Sequence, residues 1–180
     1  MRIGLVSDIH ANLPALEAVL DDMPPVDEVV CAGDIVGYGP WPRACLERVK
    51  AAATVVVQGN HDRTVDTPSR YAANRMAEAG LEHAKRELTE EQRRWLGALP
   101  REATFGRDRY LLVHSHPESL GEYVYPRAFP ELRPYLDEYD GIVLGHTHVQ
   151  HAATIDDRLL VNPGSVGQPR DGDPRAAYAV

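Results

Sequence analysis

The sequence predicts an α/β protein, because short apolar runs alternate with segments of helical periodicity along the first third of the chain. "RIGLV" at Arg2–Val6 is typical of a buried strand, and Leu13, Leu16 and Leu20 follow at helical spacing. The same alternation continues with strand-like runs "DEVVCAGD" (27–34) and "TVVVQGNHD" (54–62) around a helix-like segment "PRACLERVKAA" (42–52). Strands that alternate with helices favour parallel pairing in a sheet.

The second half of the chain is richer in strands and predicts a sheet of its own. Between the halves, residues 70–99 have a helical pattern in which "TEEQ" at Thr89–Gln92 is typical of a helix N-terminus, and we interpret them as cap helices. Asp156 and Asp157 form a predicted hairpin turn. The predicted strands lie in "REATFGRDRYLLVH" (101–114, two strands), "GIVLGHTH" (141–148), "HAATI" (151–155) and "RLLVNPG" (158–164). "RAAYAV" (175–180) has strand character but stops without a turn, as in a chain truncated at its C-terminus.

Length and composition predict a single domain over residues 1–180, with 43% hydrophobic and 26% charged residues. Neither a leader sequence nor an apolar run of bilayer length is present, so we expect a cytoplasmic protein with no membrane partner. The net charge of −8, with Lys50 and Lys85 as the only lysines, gives no indication of a nucleic-acid surface. Cys31 and Cys45 are expected to be buried thiols, neither a disulfide nor metal ligands.

Polar side chains with metal-binding chemistry follow almost every apolar run, at the point where the strand should end. They are Asp8 and His10 after the first run, Asp34 after the second, Asn60, His61 and Asp62 after the third, and His114, His146 and His148 in the second half. In an open α/β sheet, residues beyond the carboxyl ends of the strands share one crevice. We therefore expect one polyvalent site.

This set offers oxygen and imidazole nitrogen without thiolate, which suits Mn, Fe, Zn or Ni, with Mn favoured. The ligands are too many for one tetrahedral ion and enough for two, and the carboxylate of Asp34 can bridge both. Two divalent ions (about +4), two aspartates (about −2) and a hydroxide (about −1) leave the site at about +1. A phosphate ester would be attracted there although the protein as a whole is acidic.

The motifs that contain these residues resemble, in order, those of the calcineurin-like metallophosphoesterases. They are "DIH" (8–10), "GD" (33–34), "GNHD" (59–62), His114 and "GHTH" (145–148). The resemblance runs from about Ile3 to about Gln168. Longer stretches, "SDIHANLPALEAVL", "GDIVGYGP" and "NPGSVGQPR", are similar to the small prokaryotic phosphodiesterases of that superfamily.

The resemblance implies a four-layer α-β-β-α sandwich with two central mixed β-sheets. It also implies a ligand set: Asp8, His10 and His148 on one ion, Asn60, His114 and His146 on the other, and Asp34 bridging. His61 would not ligate metal but would lie beside the substrate, stabilising charge or donating a proton to the leaving oxygen. A metal-bridging hydroxide would attack phosphorus in line.

Two positions depart from this family pattern. Several relatives, notably the Ser/Thr protein phosphatases, orient the "GNH" histidine with an aspartate three residues after the bridging one, where this chain has Gly37. The partner of His61 is therefore unassigned, with Asp62 as one candidate. After His114 the chain has Ser115 where many relatives have glycine, and we expect the following His116 either behind the metal ligands or on the substrate side.

These observations predict a metal-dependent phosphohydrolase, most simply a phosphodiesterase acting on a small or exposed phosphate ester. The alternatives are a phosphomonoesterase or protein phosphatase, and a catalytically silent metal-binding scaffold of the same fold. A metallo-β-lactamase is set aside because no H-x-H-x-D-H run is present. Substrate-binding residues and oligomeric state are unassigned, and Arg170 is equally compatible with a phosphate contact and with a surface loop.

Overall fold

The computed structural model describes residues 1–180 as alternating helices and strands in the first half and mainly strands in the second. The strands are β1 (Ile3–Val6), β2 (Glu28–Cys31), β3 (Val55–Val56), β4 (Glu102–Phe105), β5 (Tyr110–Val113), β6 (Gly141–Val143), β7 (His151–Ile155) and β8 (Arg158–Asn162). The helices are α1 (Leu13–Asp22), α2 (Pro42–Ala52), α3 (Asn60–Thr64), α4 (Arg75–Glu87) and α5 (Glu90–Ala98), with 3₁₀ segments at Pro68–Tyr71 and Pro126–Asp137. No helix has the length and apolar character that a membrane crossing needs.

The first sheet contains β1, β2 and β3 in sequence order, and all pairs of these strands are parallel, whereas the resemblance implied a mixed sheet. β3 has only two residues, shorter than the predicted run, because Gly59 turns the chain and α3 starts at Asn60. The side chains of α1, α2, α4 and α5 pack in one hydrophobic cluster with this sheet, including Leu16, Leu46, Leu81 and Leu96. The segment predicted as cap helices therefore shares a layer with α1 and α2.

The second sheet has the order β4-β5-β6-β8-β7, with parallel pairs at its centre and antiparallel pairs at both edges. Its outer face is covered by the 3₁₀ segment, whose Phe129, Leu132 and Leu136 are buried against it. Pro130 and Pro134 lie inside that segment and have no N–H to donate, so a regular α-helix cannot form there. The fourth layer is consequently a 3₁₀ segment.

The two sheets face each other across a buried apolar layer, which completes the predicted four-layer sandwich. Leu5 and Val30 from the first sheet meet Leu112, Val143 and Val161 from the second. The strand-like run at the end of the chain pairs with β1 at a single residue, where Leu5 and Ala179 exchange backbone hydrogen bonds.

The sandwich brings the carboxyl ends of β1, β2, β3, β5 and β6 to one edge. Each of these strands is followed within a few residues by polar side chains that the sequence singled out, from Asp8 after β1 to His148 after β6. Backbone bonds join the loops directly, since the His10 N–H donates to the Asp34 carbonyl and the Gly145 N–H to the His114 carbonyl. The loops therefore form one surface.

Candidate metal centre

The structure brings all seven predicted ligands and His61 together. Four of the ligands and His61 line a cleft of about 220 Å³, and Asp8, His10 and His114 lie next to these residues. The aspartates and histidines among them form three overlapping groups, and within each group the ligand atoms lie within 4.8 Å of one another. The groups are Asp8, His10 and His148; His10, Asp34 and His61; and Asp34, His114 and His146. No ligand residue is more than 6% exposed apart from the half-buried Asn60. So many polar groups can be buried only if they have partners.

The first group joins the two halves of the chain. The Nε2 atoms of His10 and His148 are 3.1 Å apart, and Asp8 Oδ1 lies 3.2 Å from His148 Nε2. The same Oδ1 atom has no hydrogen-bond partner, whereas Asp8 Oδ2 accepts from Ser7 Oγ and from the His146 N–H. One carboxylate oxygen is thus held by the protein and the other is free to bind a cation.

The third group, together with Asn60, lies on the other side of Asp34 from the first. His114 Nε2 is 2.9 Å from Asn60 Oδ1 and 3.5 Å from Asp34 Oδ2. His146 Nε2 is buried without a partner. The Asn60 amide nitrogen donates to Tyr71 Oη, which turns the amide oxygen toward the other ligands. Oxygen and imidazole atoms are again directed at one point.

Asp34 lies between the two groups. Its Oδ2 atom is 3.5 Å from His114 Nε2 and 3.8 Å from His10 Nε2, and its Oδ1 atom accepts the His61 backbone N–H at 2.8 Å. Burial and the nearby carboxylates of Asp62 and Asp8 raise the pKa of Asp34 well above its ordinary value. A bound cation would favour the charged form of this carboxylate, and its position suits a bridge.

Backbone carbonyls fix the tautomers of three histidines. The Nδ1 atoms of His10, His114 and His148 lie 3.2, 2.7 and 2.6 Å from the carbonyl oxygens of Val36, Ala32 and Gln168, respectively. A carbonyl can only accept, so Nδ1 carries the proton and each Nε2 presents a lone pair to the site. This arrangement is typical of histidine ligands, and together with the unpartnered atoms of Asp8 and His146 it fits divalent metal ions.

Burial favours the neutral form of four histidines of the site. Burial lowers the pKa of His10 well below its ordinary value, and it also lowers the pKa of His114. The same cause lowers the pKa of His146 to about 4 and that of His61 to about 3. Neutral imidazole is the form that binds metal.

The ligand loops have strained backbone and close packing. Asp8, His10, Asp34, His146 and His148 all have positive φ, between 49° and 67°. Non-glycine residues adopt this left-handed region rarely, and such residues cluster at functional sites. Gly59 and Gly145 allow neighbouring loops to pack against their backbone. A Cβ atom at Gly59 would lie 2.0 Å from Asp34 Oδ1, and one at Gly145 would lie 1.9 Å from Ser7 Oγ.

Asp62 does not orient His61, so that candidate assignment is wrong. Its carboxylate accepts four backbone N–H groups, and the His61 Nδ1 atom is buried without a partner. Gly37 faces that atom, and a Cβ there would lie 2.4 Å from it. The imidazole is instead packed between the rings of Tyr38 and Tyr71, at centroid distances of 5.0 and 4.7 Å.

Tyr71 is the site residue that the sequence did not indicate. It lies in the 3₁₀ turn before α4, in no motif, and reaches the cleft only through tertiary packing. Arg170 also lines the cleft, and its guanidinium donates to Gln168 Oε1. His116 does not face the cleft as expected, because its ring packs edge-on against Tyr135 and its Nδ1 atom accepts the Glu118 N–H.

Comparison with known proteins identifies the family. The family model described as "Calcineurin-like phosphoesterase superfamily domain" matches residues 1–180. The chain belongs to this calcineurin-like phosphoesterase superfamily. The chain is 28% identical to "Phosphodiesterase YfcE" of Escherichia coli, with 100% of this chain and 86% of that protein covered. A "Probable metallophosphoesterase" of Methanothermobacter thermautotrophicus is 30% identical, with 97% and 82% covered.

Solved structures agree with this family. A metallophosphoesterase from Sphaerobacter thermophilus matches with a TM-score of 0.82 and 34% identity, over 99% of this chain and 82% of that one. The calcineurin-like sandwich predicted from the motifs is thereby confirmed, and the protein is a metal-dependent phosphoesterase. The candidate ligands described above are where this calcineurin-like chain could hold divalent metals.

Proposed function

We propose that this protein is a cytoplasmic phosphodiesterase that works with two divalent metal ions, Mn²⁺ favoured. The observation that carries the proposal is the position of Asp34 between two sets of ligands. Its Oδ2 atom lies 3.8 Å from His10 Nε2 and 3.5 Å from His114 Nε2, and both nitrogens present lone pairs to the site. The relative named as a phosphodiesterase, which covers the whole chain, supports the choice of diester.

Asp8, His10 and His148 would hold one ion, and Asn60, His114 and His146 the other, with Asp34 shared. When bound, the ions would supply Lewis acidity toward the phosphoryl oxygens and lower the pKa of water.

The ligand set controls the charge of the site. Only Asp8 and Asp34 bring negative charge, about −2 in total, because asparagine is uncharged and histidine binds metal as neutral imidazole. Two divalent ions bring about +4, so the loaded site is positive inside a protein of net charge −8. Field lines focused in a cleft raise the local concentration of an anion. Arg170 at the exposed rim adds a further positive charge.

His61 would contact the substrate from the wall of the cleft. Its ring is held by Tyr38 and Tyr71, and it donates no hydrogen bond from Nδ1 to the protein. The imidazole of His61 can donate an N–H hydrogen bond that stabilises charge on the phosphoryl group. In its protonated form, which the negative charge of a bound phosphate ester would favour, it can donate a proton to the leaving oxygen. We expect His61→Ala to lower turnover by about 10²–10⁴ with metal content unchanged. Turnover equal to that of the parent protein would exclude this role.

The deciding experiment compares bis(4-nitrophenyl) phosphate with 4-nitrophenyl phosphate. Protein stripped with a chelator is assayed before and after Mn²⁺ is added, with metal stoichiometry measured in parallel. Diester cleavage that Mn²⁺ restores supports the proposal, whereas preferential monoester cleavage indicates a phosphomonoesterase. Two bound ions without turnover of either ester favour the scaffold.

Asp34→Asn tests the shared carboxylate. Because an amide has one oxygen in place of two, the variant should lose at least one of the two ions. Retention of two ions per chain would contradict the bridging assignment.

A further inference from the structure

The cleft accommodates a phosphoryl group but little of the ester groups attached to it. Its volume of about 220 Å³ is below the roughly 300–1,000 Å³ of pockets that enclose whole ligands. Its floor and walls are mainly polar, with Asp34, Asn60 and three histidines among the lining residues. At least one ester group of a diester must therefore lie at the rim.

The rim carries an exposed aromatic stack. The Tyr123 ring lies on the imidazole of His146 at a centroid distance of 4.1 Å and an interplanar angle of 21°. The Tyr125 ring is 5.9 Å from that of Tyr123 and inclined by 14°. The two tyrosines are 47% and 42% exposed. The stack thus leads from a candidate metal ligand to the outside.

The stack is held in place before any substrate arrives. Val124, between the two tyrosines, is buried in the hydrophobic cluster under the second sheet. This alternation anchors the segment by its middle residue and presents both rings on the outer side. Exposed aromatic surface in a fixed orientation is a feature of binding sites, because little entropy is lost when a ligand stacks on it.

We propose that Tyr123 and Tyr125 form a shelf for a planar aromatic ester group of the substrate, an aryl group or a nucleobase. This inference rests on the proposed phosphodiesterase function and adds a substrate class to it. The phosphoryl group would occupy the polar cleft while the aromatic group stacks on the exposed tyrosines. Stacking of this kind corresponds to about 5- to 150-fold in kcat/KM.

The test uses three diesters that release the same 4-nitrophenolate. The retained group is methyl, phenyl or thymidine, and each kcat/KM is divided by the rate of alkaline hydrolysis to remove intrinsic reactivity. We expect the phenyl or thymidine ester to exceed the methyl ester by at least about fivefold. A phenyl preference without a thymidine preference indicates an aryl substrate, and the reverse indicates a nucleotide.

Substitutions of the two tyrosines test whether they cause the preference for an aromatic ester group. Tyr125→Ala should reduce this preference. Tyr125 is the better residue to replace because it is Tyr123 that stacks on the candidate ligand His146. Tyr123→Leu, which keeps apolar bulk without a flat ring, should remove most of the preference, and Tyr123→Phe should retain it. Metal content is measured in each variant. A preference unchanged in both Tyr125→Ala and Tyr123→Leu would overturn the shelf.

A binding measurement separates the shelf from catalysis. Calorimetry on the Mn²⁺-loaded protein compares phenylphosphonate with methylphosphonate. Turnover of all diesters at equal normalised rates, with kcat/KM unchanged in Tyr125→Ala and Tyr123→Leu, would refute the shelf and leave the phosphodiesterase function intact. No turnover, but tighter binding of phenylphosphonate that Tyr125→Ala weakens, would support the shelf and refute the function. No turnover with equal binding of the two phosphonates would refute both.

Discussion

Replacing Asp62 with asparagine tests how the loop that carries Asp34 is held. The Asp62 carboxylate is fully buried and accepts the backbone N–H groups of Gly59, Asp34, Ile35 and Val36 at 2.8–3.3 Å. It therefore joins the turn after β2 to the turn after β3. If this is its role, Asp62→Asn should destabilise the metal-free protein and weaken metal binding.

The size of the effect follows from the hydrogen bonds. Each carboxylate oxygen of Asp62 accepts two backbone N–H groups. If the amide oxygen of the asparagine keeps the hydrogen bonds from Asp34 and Gly59, the N–H groups of Ile35 and Val36 face the amide –NH₂ group and lose their acceptor. A hydrogen bond to a charged group contributes about 1.5–3 kcal/mol, and the bond from Val36 is long at 3.3 Å. We expect a loss of about 3–5 kcal/mol. Domains are stable by about 5–15 kcal/mol, so most of the variant remains folded.

Urea unfolding of the metal-free protein measures this loss. Glu17→Gln is the matched control, because Glu17 is an exposed carboxylate paired with Arg48 and should change stability by less than about 0.5 kcal/mol. A loss below about 1 kcal/mol in Asp62→Asn would refute the reasoning. Lower activity with unchanged stability and metal content would return Asp62 to the role of orienting His61.

Three further outcomes follow from the structure. Gly59→Ala should lower metal content and activity, because its Cβ would lie 2.0 Å from Asp34 Oδ1; metal content equal to the parent's would contradict this. Gly97→Ala, in α5 with nothing within 4 Å of the added atom, should raise the urea midpoint by the equivalent of about 0.5–1 kcal/mol, and a lower midpoint would count against it. The third outcome is a pH dependence of the difference in unfolding free energy between the metal-free parent and metal-free His61→Asn. The parent's advantage should fall by about 1.4 kcal/mol for each pH unit below pH 6.5. The reason is that the unfolded imidazole binds a proton near pH 6.5, whereas the folded imidazole stays neutral down to its pKa of about 3. A difference independent of pH would exclude a neutral buried His61.

The sequence was sufficient for most of the fold because its local signals agree with the tertiary structure. The capping box at Thr89 and Gln92 forms as predicted, and the Asp156–Asp157 turn joins β7 to β8. Two elements differ for physical reasons: β3 is shortened by the turn at Gly59, and Pro130 and Pro134 turn the fourth layer into a 3₁₀ segment. Apolar periodicity alone does not reveal either change.

The site residues that could be predicted from the sequence are those that directly follow strands. Asp8, Asp34 and His146 each come shortly after a strand, and parallel strands bring their carboxyl ends together. The contact of Tyr71 with the site and the four hydrogen bonds that the Asp62 carboxylate accepts were not predictable, because neither depends on a local pattern. Both depend on how distant loops pack, and only the assembled sandwich shows that.

The ligand loops are fixed by the protein as well as by any metal it binds. The His146 N–H donates to Asp8 Oδ2 and the Ser165 hydroxyl donates to the Asp8 carbonyl, so residues near the end of the chain hold the loop after β1. Left-handed backbone at Asp8 and His146 is strained, and these bonds provide the compensation. A site arranged in this way loses little entropy when it is loaded, so the interaction with the ions can contribute to affinity. The same bonds make the centre a property of the whole sandwich, because His10 and His148 meet only when both halves are folded.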